Sequence, residues 1–142
     1  MAMHQDYLMR YIQQFVEALV RSATRVAEQQ DFQGAARSLD NAVANAADMD
    51  AEVLLGFAPE SLASIVNVMG VDPRLVEYMA RSLVLAGDYY GRAGSTDVSL
   101  LRVQQGQALA NAFGIDLDRP WEVLPEGAEV PAVPEPGLFL DD

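Results

Sequence analysis

Residues 30–42 read Gln30-Asp31-Phe32-Gln33-Gly34-Ala35-Ala36-Arg37-Ser38-Leu39-Asp40-Asn41-Ala42, and this stretch decides the fold. Asp31 is placed to accept a backbone N–H from the first turn of a helix that begins at residue 32. Phe32, Ala35, Leu39, Ala42, Val43 and Ala46 then recur at helical spacing and form one apolar face over 32–47. Alanine dominates that face. A side chain so small leaves room for a neighbouring helix to approach closely.

Upstream, Leu8, Ile12, Phe15, Leu19, Ser22 and Val26 repeat at alternating spacings of four and three, with Val16, Val20, Ala23 and Ala27 beside them. A stripe that wide requires two covering neighbours. Four acid-to-Arg pairs stand four residues apart in the favourable order: Asp6–Arg10, Glu17–Arg21, Glu77–Arg81 and Asp88–Arg92. On exposed helices each contributes a few tenths of a kcal/mol and fixes register.

Downstream, breakers divide the chain. Short helices are expected over 50–57 and 59–69, separated near Gly56 and Pro59. Gly70 ends that run, and Asp72-Pro73 pairs a cap with proline at the first helical position. A helix over 73–92 follows and stops before Gly94; Ser95 or Thr96 caps a last one that reaches Phe113. No segment alternates apolar and polar residues as a strand would. The expectation is an all-α chain of five to six helices in antiparallel hairpins, forming a compact bundle over residues 1–115.

Residues 116–142 differ. Pro120, Pro125, Pro131, Pro134 and Pro136 forbid a long helix, so an extended acidic tail is expected. Trp121 with Val123 and Leu124, and Phe139 with Leu138 and Leu140, give this tail two apolar anchors. Such anchors are unusual in disordered segments, so docking on the helices is one reading and a free tether is the other. If the tail is docked, deleting residues 119–142 exposes apolar surface and raises dye binding or self-association.

Composition excludes several chemistries. The chain has no cysteine, no lysine and one histidine, His4. Thiolate metal sites, Schiff bases and a P-loop lysine are therefore ruled out, and a histidine metal cluster cannot form within one chain. The formal net charge is −12. Phosphate backbones and anionic membranes repel such a chain, which argues against nucleic acid and lipid partners. No apolar run approaches the ~20 residues of a membrane span, and the first residues lack the basic start of a signal peptide, so a cytoplasmic location is expected.

Compared with itself, the chain repeats at an offset of 64 residues, Leu19 to Leu83. Leu19, Ser22, Ala23 and Val26 correspond to Leu83, Ala86, Gly87 and Tyr90; Ala35, Leu39 and Ala42 correspond to Ser99, Val103 and Gly106. These positions resemble a tetratricopeptide hairpin, with Gln30 to Ala42 its best copy. Thr96 stands where an aromatic belongs, and residues 50–72 depart from the pattern. The opening Asp6-Tyr7-Leu8-Met9-Arg10 with Ile12, Gln14 and Phe15, followed by Leu54-Leu55-Gly56, is similar to an uncharacterised bacterial family of short tetratricopeptide-like helical proteins. That resemblance implies a fold and no activity. The Lys and Asn that clamp peptide carboxylates in tetratricopeptide proteins correspond to Val20, Thr24, Val84 and Asp88, which cannot make that clamp.

No catalytic residue, cofactor or metal site is assigned. Asp48-Met49-Asp50-Ala51-Glu52 starts like a calcium loop, but Val53 and Pro59 replace its turn glycine and closing glutamate. Tyr78 and Tyr89 stand three turns apart and share a face, which is either core packing or a partner surface. The first helix, about 24 residues and about 36 Å long, outruns its hairpin partner, so Tyr7, Leu8, Tyr11 and Ile12 overhang and need cover. The middle helices, the tail or a second subunit are the candidates. The candidate interaction surface is thus Tyr7, Leu8, Tyr11, Tyr78, Tyr89, Trp121 and Phe139. The expected role is non-enzymatic protein–protein interaction or scaffolding, with a homodimer as one form. The alternative is a ligand-binding protein or enzyme that uses carboxylates, Tyr and Arg in a pocket between helices.

Overall fold

The computed structural model describes residues 2–119, the side chains of 2–6 excepted. Among them are six helices and no strand: α1 (Ala2–Gln29), α2 (Phe32–Ala46), α3 (Ala51–Leu54), α4 (Pro59–Val68), α5 (Pro73–Arg92) and α6 (Thr96–Phe113). None is long and apolar enough to cross a membrane.

The caps explain most of the boundaries. Asp31 accepts the Gly34 N–H at 2.9 Å and starts α2; Asp72 accepts the Arg74 N–H at 2.9 Å and starts α5 ahead of Pro73. Ser95 is a correction. It occupies the cap position of α6 without making a side-chain cap bond. Four helix ends close in a similar way, with an N–H reaching back five residues from Met49 to Ala44, Ser95 to Tyr90 and Ile115 to Ala110, and six from Asp31 to Arg25. Each such closure needs a left-handed residue. Gly94 and Gly114 take that conformation without strain, whereas Gln30 and Asp48, both at φ 53°, adopt it with a side chain.

Packing is sequential across the molecule. Helix α1 lies on α2, α2 on α5, α5 on α6 and α6 on α4, while α5 also touches α1 and the short α3 leans on α2. Helix α5 is the hub, with apolar and polar positions buried around its whole circumference. The contact with α6 is close because two glycines permit it. A Cβ on Gly106 would come within 2.8 Å of the Ala80 carbonyl, and one on Gly87 within 2.9 Å of the Ser99 carbonyl. The Ser99 hydroxyl uses that proximity and donates to the Gly87 carbonyl at 2.6 Å.

The expected pairs Glu77–Arg81 and Asp88–Arg92 form, at 3.0 and 2.9 Å, but they are not surface pairs. Arg81 and Asp88 are both buried. No ion pair joins Glu17 to Arg21 among the described residues.

Candidate functional site

The end of the bundle where α1 begins carries an open surface with a largely apolar lining. Tyr7 and Leu8 of α1, Ala47 after α2, and Met69, Val71 and Leu75 around the start of α5 line a hollow of about 550 Å³. Leu8 and Leu75 form its buried floor, whereas Tyr7 (54% exposed) and Met69 (43%) stand at its rim. Val68, next to Met69, is 84% exposed. The overhang of α1 is therefore covered in part from within the chain. Leu8 and Ile12 are buried, and Tyr7 is left facing solvent.

Tyr7 and Tyr11 form a pair on the exposed side of α1. Their rings meet edge to face at 4.8 Å and their hydroxyls lie 3.0 Å apart. The hydrogen bond to Tyr7, with some burial, pushes the Tyr11 phenol up to about 12.

Tyr78 and Tyr89 lie elsewhere. Both are buried against α1 and α2, Tyr78 stacked on Phe15 at 5.5 Å and Tyr89 tilted against Phe32 at 6.2 Å. Of the two readings of their shared face, the structure has core packing, so neither presents a surface to a partner. The physical reason is that α5 sits in the middle of the bundle and has no solvent face at those positions. Burial raises the phenol of Tyr78 to about 12 and shifts that of Tyr89 upward. Trp121 and Phe139, with the whole docking question of the tail, lie outside the described residues.

A polar network was not legible in the sequence. Asp40 of α2 accepts from the Tyr90 hydroxyl of α5 at 2.6 Å and from the Arg102 guanidinium of α6 at 3.0 and 3.2 Å. Arg102 also donates to Gln105 at 3.1 Å and to the Leu55 carbonyl at 3.3 Å, and lies over the Tyr90 ring at 5.6 Å. Gln105, fully buried, donates to the carbonyls of Leu55 and Phe57 at 3.0 and 2.9 Å. Burial raises the Asp40 carboxyl above the usual range, opposed by Arg102 and Tyr90. Each group in this network has a partner, so it ties α2, α5, α6 and the 55–57 turn together. Its members sit far apart in sequence, Asp40 and Arg102 by 62 residues, and no local pattern announces them. Only Tyr90 carried a sequence signal, as a packing position.

Arg81 is a second buried anchor. It pairs with Glu77 and donates to the carbonyls of Arg119 at 2.6 Å and Asp116 at 3.1 Å. The chain that leaves α6 is thereby fixed to the side of α5. Asp88, also buried, accepts from Arg92 through Oδ2 at 2.9 Å, while its Oδ1 has no hydrogen-bond partner. Burial raises its carboxyl as well. Asp40 and Asp88 bond to different arginines, Arg102 and Arg92, and share no hydrogen-bond partner.

Val20 and Thr24 occupy an exposed strip of α1, and the Thr24 hydroxyl donates back to the Val20 carbonyl at 3.0 Å. Neither offers a carboxylate clamp. Among the described residues no three His, Cys, Asp or Glu side chains are grouped to hold a metal ion. No family model, curated protein or solved structure matches this chain significantly.

Proposed function

We propose that the chain is a non-enzymatic helical module that binds protein through the apolar hollow at the start of α1, with a second copy of itself as the partner. The observation that carries this reading is the exposure of Tyr7 and Met69 on the rim of one hollow, with Val68 beside them. Tyr and Met are enriched at interfaces because they offer large adaptable apolar area, and the Tyr7 hydroxyl already has the Tyr11 hydroxyl as a partner. The same reading takes the α1–α2 and α5–α6 hairpins as tetratricopeptide-like, supported by the small residues where the paired helices meet. It also takes the protein to be cytoplasmic and without nucleic-acid partners, on the strength of its acidity.

An enzymatic reading finds less support. Of the two carboxylates buried among the described residues, Asp88 is held by Arg92 within its own helix, and Asp40 has its oxygens committed to Tyr90 and Arg102. Catalysis there would have to break the bonds that hold three helices together.

Sedimentation velocity at micromolar concentration tests the proposal. The wild type is expected to sediment as a dimer, and a Tyr7→Asp/Met69→Asp variant as a monomer with unchanged helix content. A wild-type monomer across that range overturns self-association.

A further inference from the structure

Three of the nine arginines in this acidic chain, Arg21, Arg25 and Arg37, line one hollow of about 600 Å³ between α1 and α2. Arg21 and Arg25 stand one turn apart on α1, a like-charge spacing that costs a few tenths of a kcal/mol on a helix. Arg37 faces them from α2. The one carboxylate in the hollow is Asp31, and it is already engaged. Its Oδ1 accepts the Gly34 N–H that caps α2, and its Oδ2 lies 3.6 Å from Arg25, a loose contact. Arg21 forgoes the favourably spaced Glu17 and, like Arg37, forms no ion pair among the described residues.

Two further features belong to the same place. Gly34 sits where a Cβ would collide with both the Arg25 guanidinium and the Asp31 carboxylate, so the absence of a side chain lets Arg25 lie down on the first turn of α2. The rest of the lining, Gln33, Ser38 and Asn41, is neutral and polar. Ser38 donates its hydroxyl to the Gly34 carbonyl at 3.1 Å, which leaves the amides of Gln33 and Asn41 as added donors.

We infer that this hollow binds a small multivalent oxyanion, a phosphorylated or polycarboxylate molecule. Three guanidiniums present planar donor pairs suited to phosphate and carboxylate oxygens. The hollow is larger than a single phosphate, which favours a ligand with two or more anionic groups. Three arginines against one carboxylate also give this hollow a local positive charge in a chain of net charge −12, which lowers the repulsion a small anion meets there. The site stands apart from the apolar hollow at the other end of α1 and does not rest on self-association.

Thermal unfolding at matched ionic strength tests the inference, with pyrophosphate and citrate as probes and sodium chloride as the reference. A saturable rise in midpoint is expected with at least one probe, about 5 °C at roughly ten times its Kd. A response to pyrophosphate alone assigns phosphate chemistry, and a response to citrate alone assigns polycarboxylate chemistry. Arg21→Gln/Arg37→Gln should fold, since it relieves repulsion among the arginines while giving up the Arg37 attraction to Asp40, and should abolish the rise. Asn41→Asp, which adds a negative charge to the hollow and keeps all three arginines, should abolish it too. A midpoint that follows ionic strength alone, or a rise that survives in both variants, overturns the proposal.

Discussion

Asp40 sits inside the protein because two neighbouring helices, α5 and α6, supply what water would have. Tyr90 and Arg102 bring three hydrogen bonds to its two oxygens, and the Arg102 charge is met in return. Removing the carboxylate leaves a guanidinium that is 11% exposed without its counter-charge. Asp40→Ala should therefore lower stability by about 3 kcal/mol in urea unfolding, far more than a surface ion pair would. A loss under about 1 kcal/mol would mean that the exposed margin of Arg102 is solvated well enough to stand alone. Gly106 makes a different demand. Its missing side chain admits the Ala80 carbonyl and the Val84 methyl, both within 2.8 Å of where a Cβ would sit. Gly106→Ala is expected to cost about 1–3 kcal/mol because α6 must move off α5, even though alanine is the better helix former.

At the scale of elements, α5 determines the arrangement. Its boundaries, Pro73–Arg92, follow from Asp72, Pro73 and Gly94, which are local signals that the sequence displays openly. Its burial on every side is not local. The pairs Glu77–Arg81 and Asp88–Arg92 look like solvated helix pairs, because spacing alone does not say what lies opposite. In the folded protein Arg81 is buried and reaches carbonyls 35 and 38 residues away. Arg81→Met should release the 116–119 segment from α5, seen as faster amide exchange at residues 115–119 while exchange in α1 and α2 stays unchanged. Equal acceleration throughout would indicate instead that Arg81 supports the whole bundle.

For the molecule as a whole, the buried tyrosines set an alkaline limit. The phenols of Tyr78 and Tyr90 are pushed up to about 12 in the folded state from the ordinary 10.0, by burial first and, for Tyr90, by the Asp40 bond second. Between those values the unfolded chain binds fewer protons than the folded one, so stability is intact below pH 10 and falls as pH rises toward 12. Phenolate absorbance during a pH titration should show Tyr78 and Tyr90 lagging, along with Tyr11 and Tyr89, and the buried phenols then ionising together with loss of helical dichroism. Early ionisation of all five tyrosines near pH 10, with the helices intact, would contradict their burial.

The sequence by itself determined the all-helical character, a count of five to six helices and most of their ends, because caps, prolines, glycines and apolar spacing act within a few residues of one another; it drew the short α3 three residues too long at its C-terminal end. It also pointed to the overhang of α1, since helix length is countable. The tertiary structure alone decided that Tyr78 and Tyr89 belong to the core, that Tyr7 stays at the rim of an apolar hollow, and that Asp40, Tyr90, Arg102 and Gln105 meet. It alone gathered Arg21, Arg25 and Arg37 around one hollow. The reason is physical: those outcomes depend on which faces of different helices touch, and that is set by packing between segments that share no local pattern.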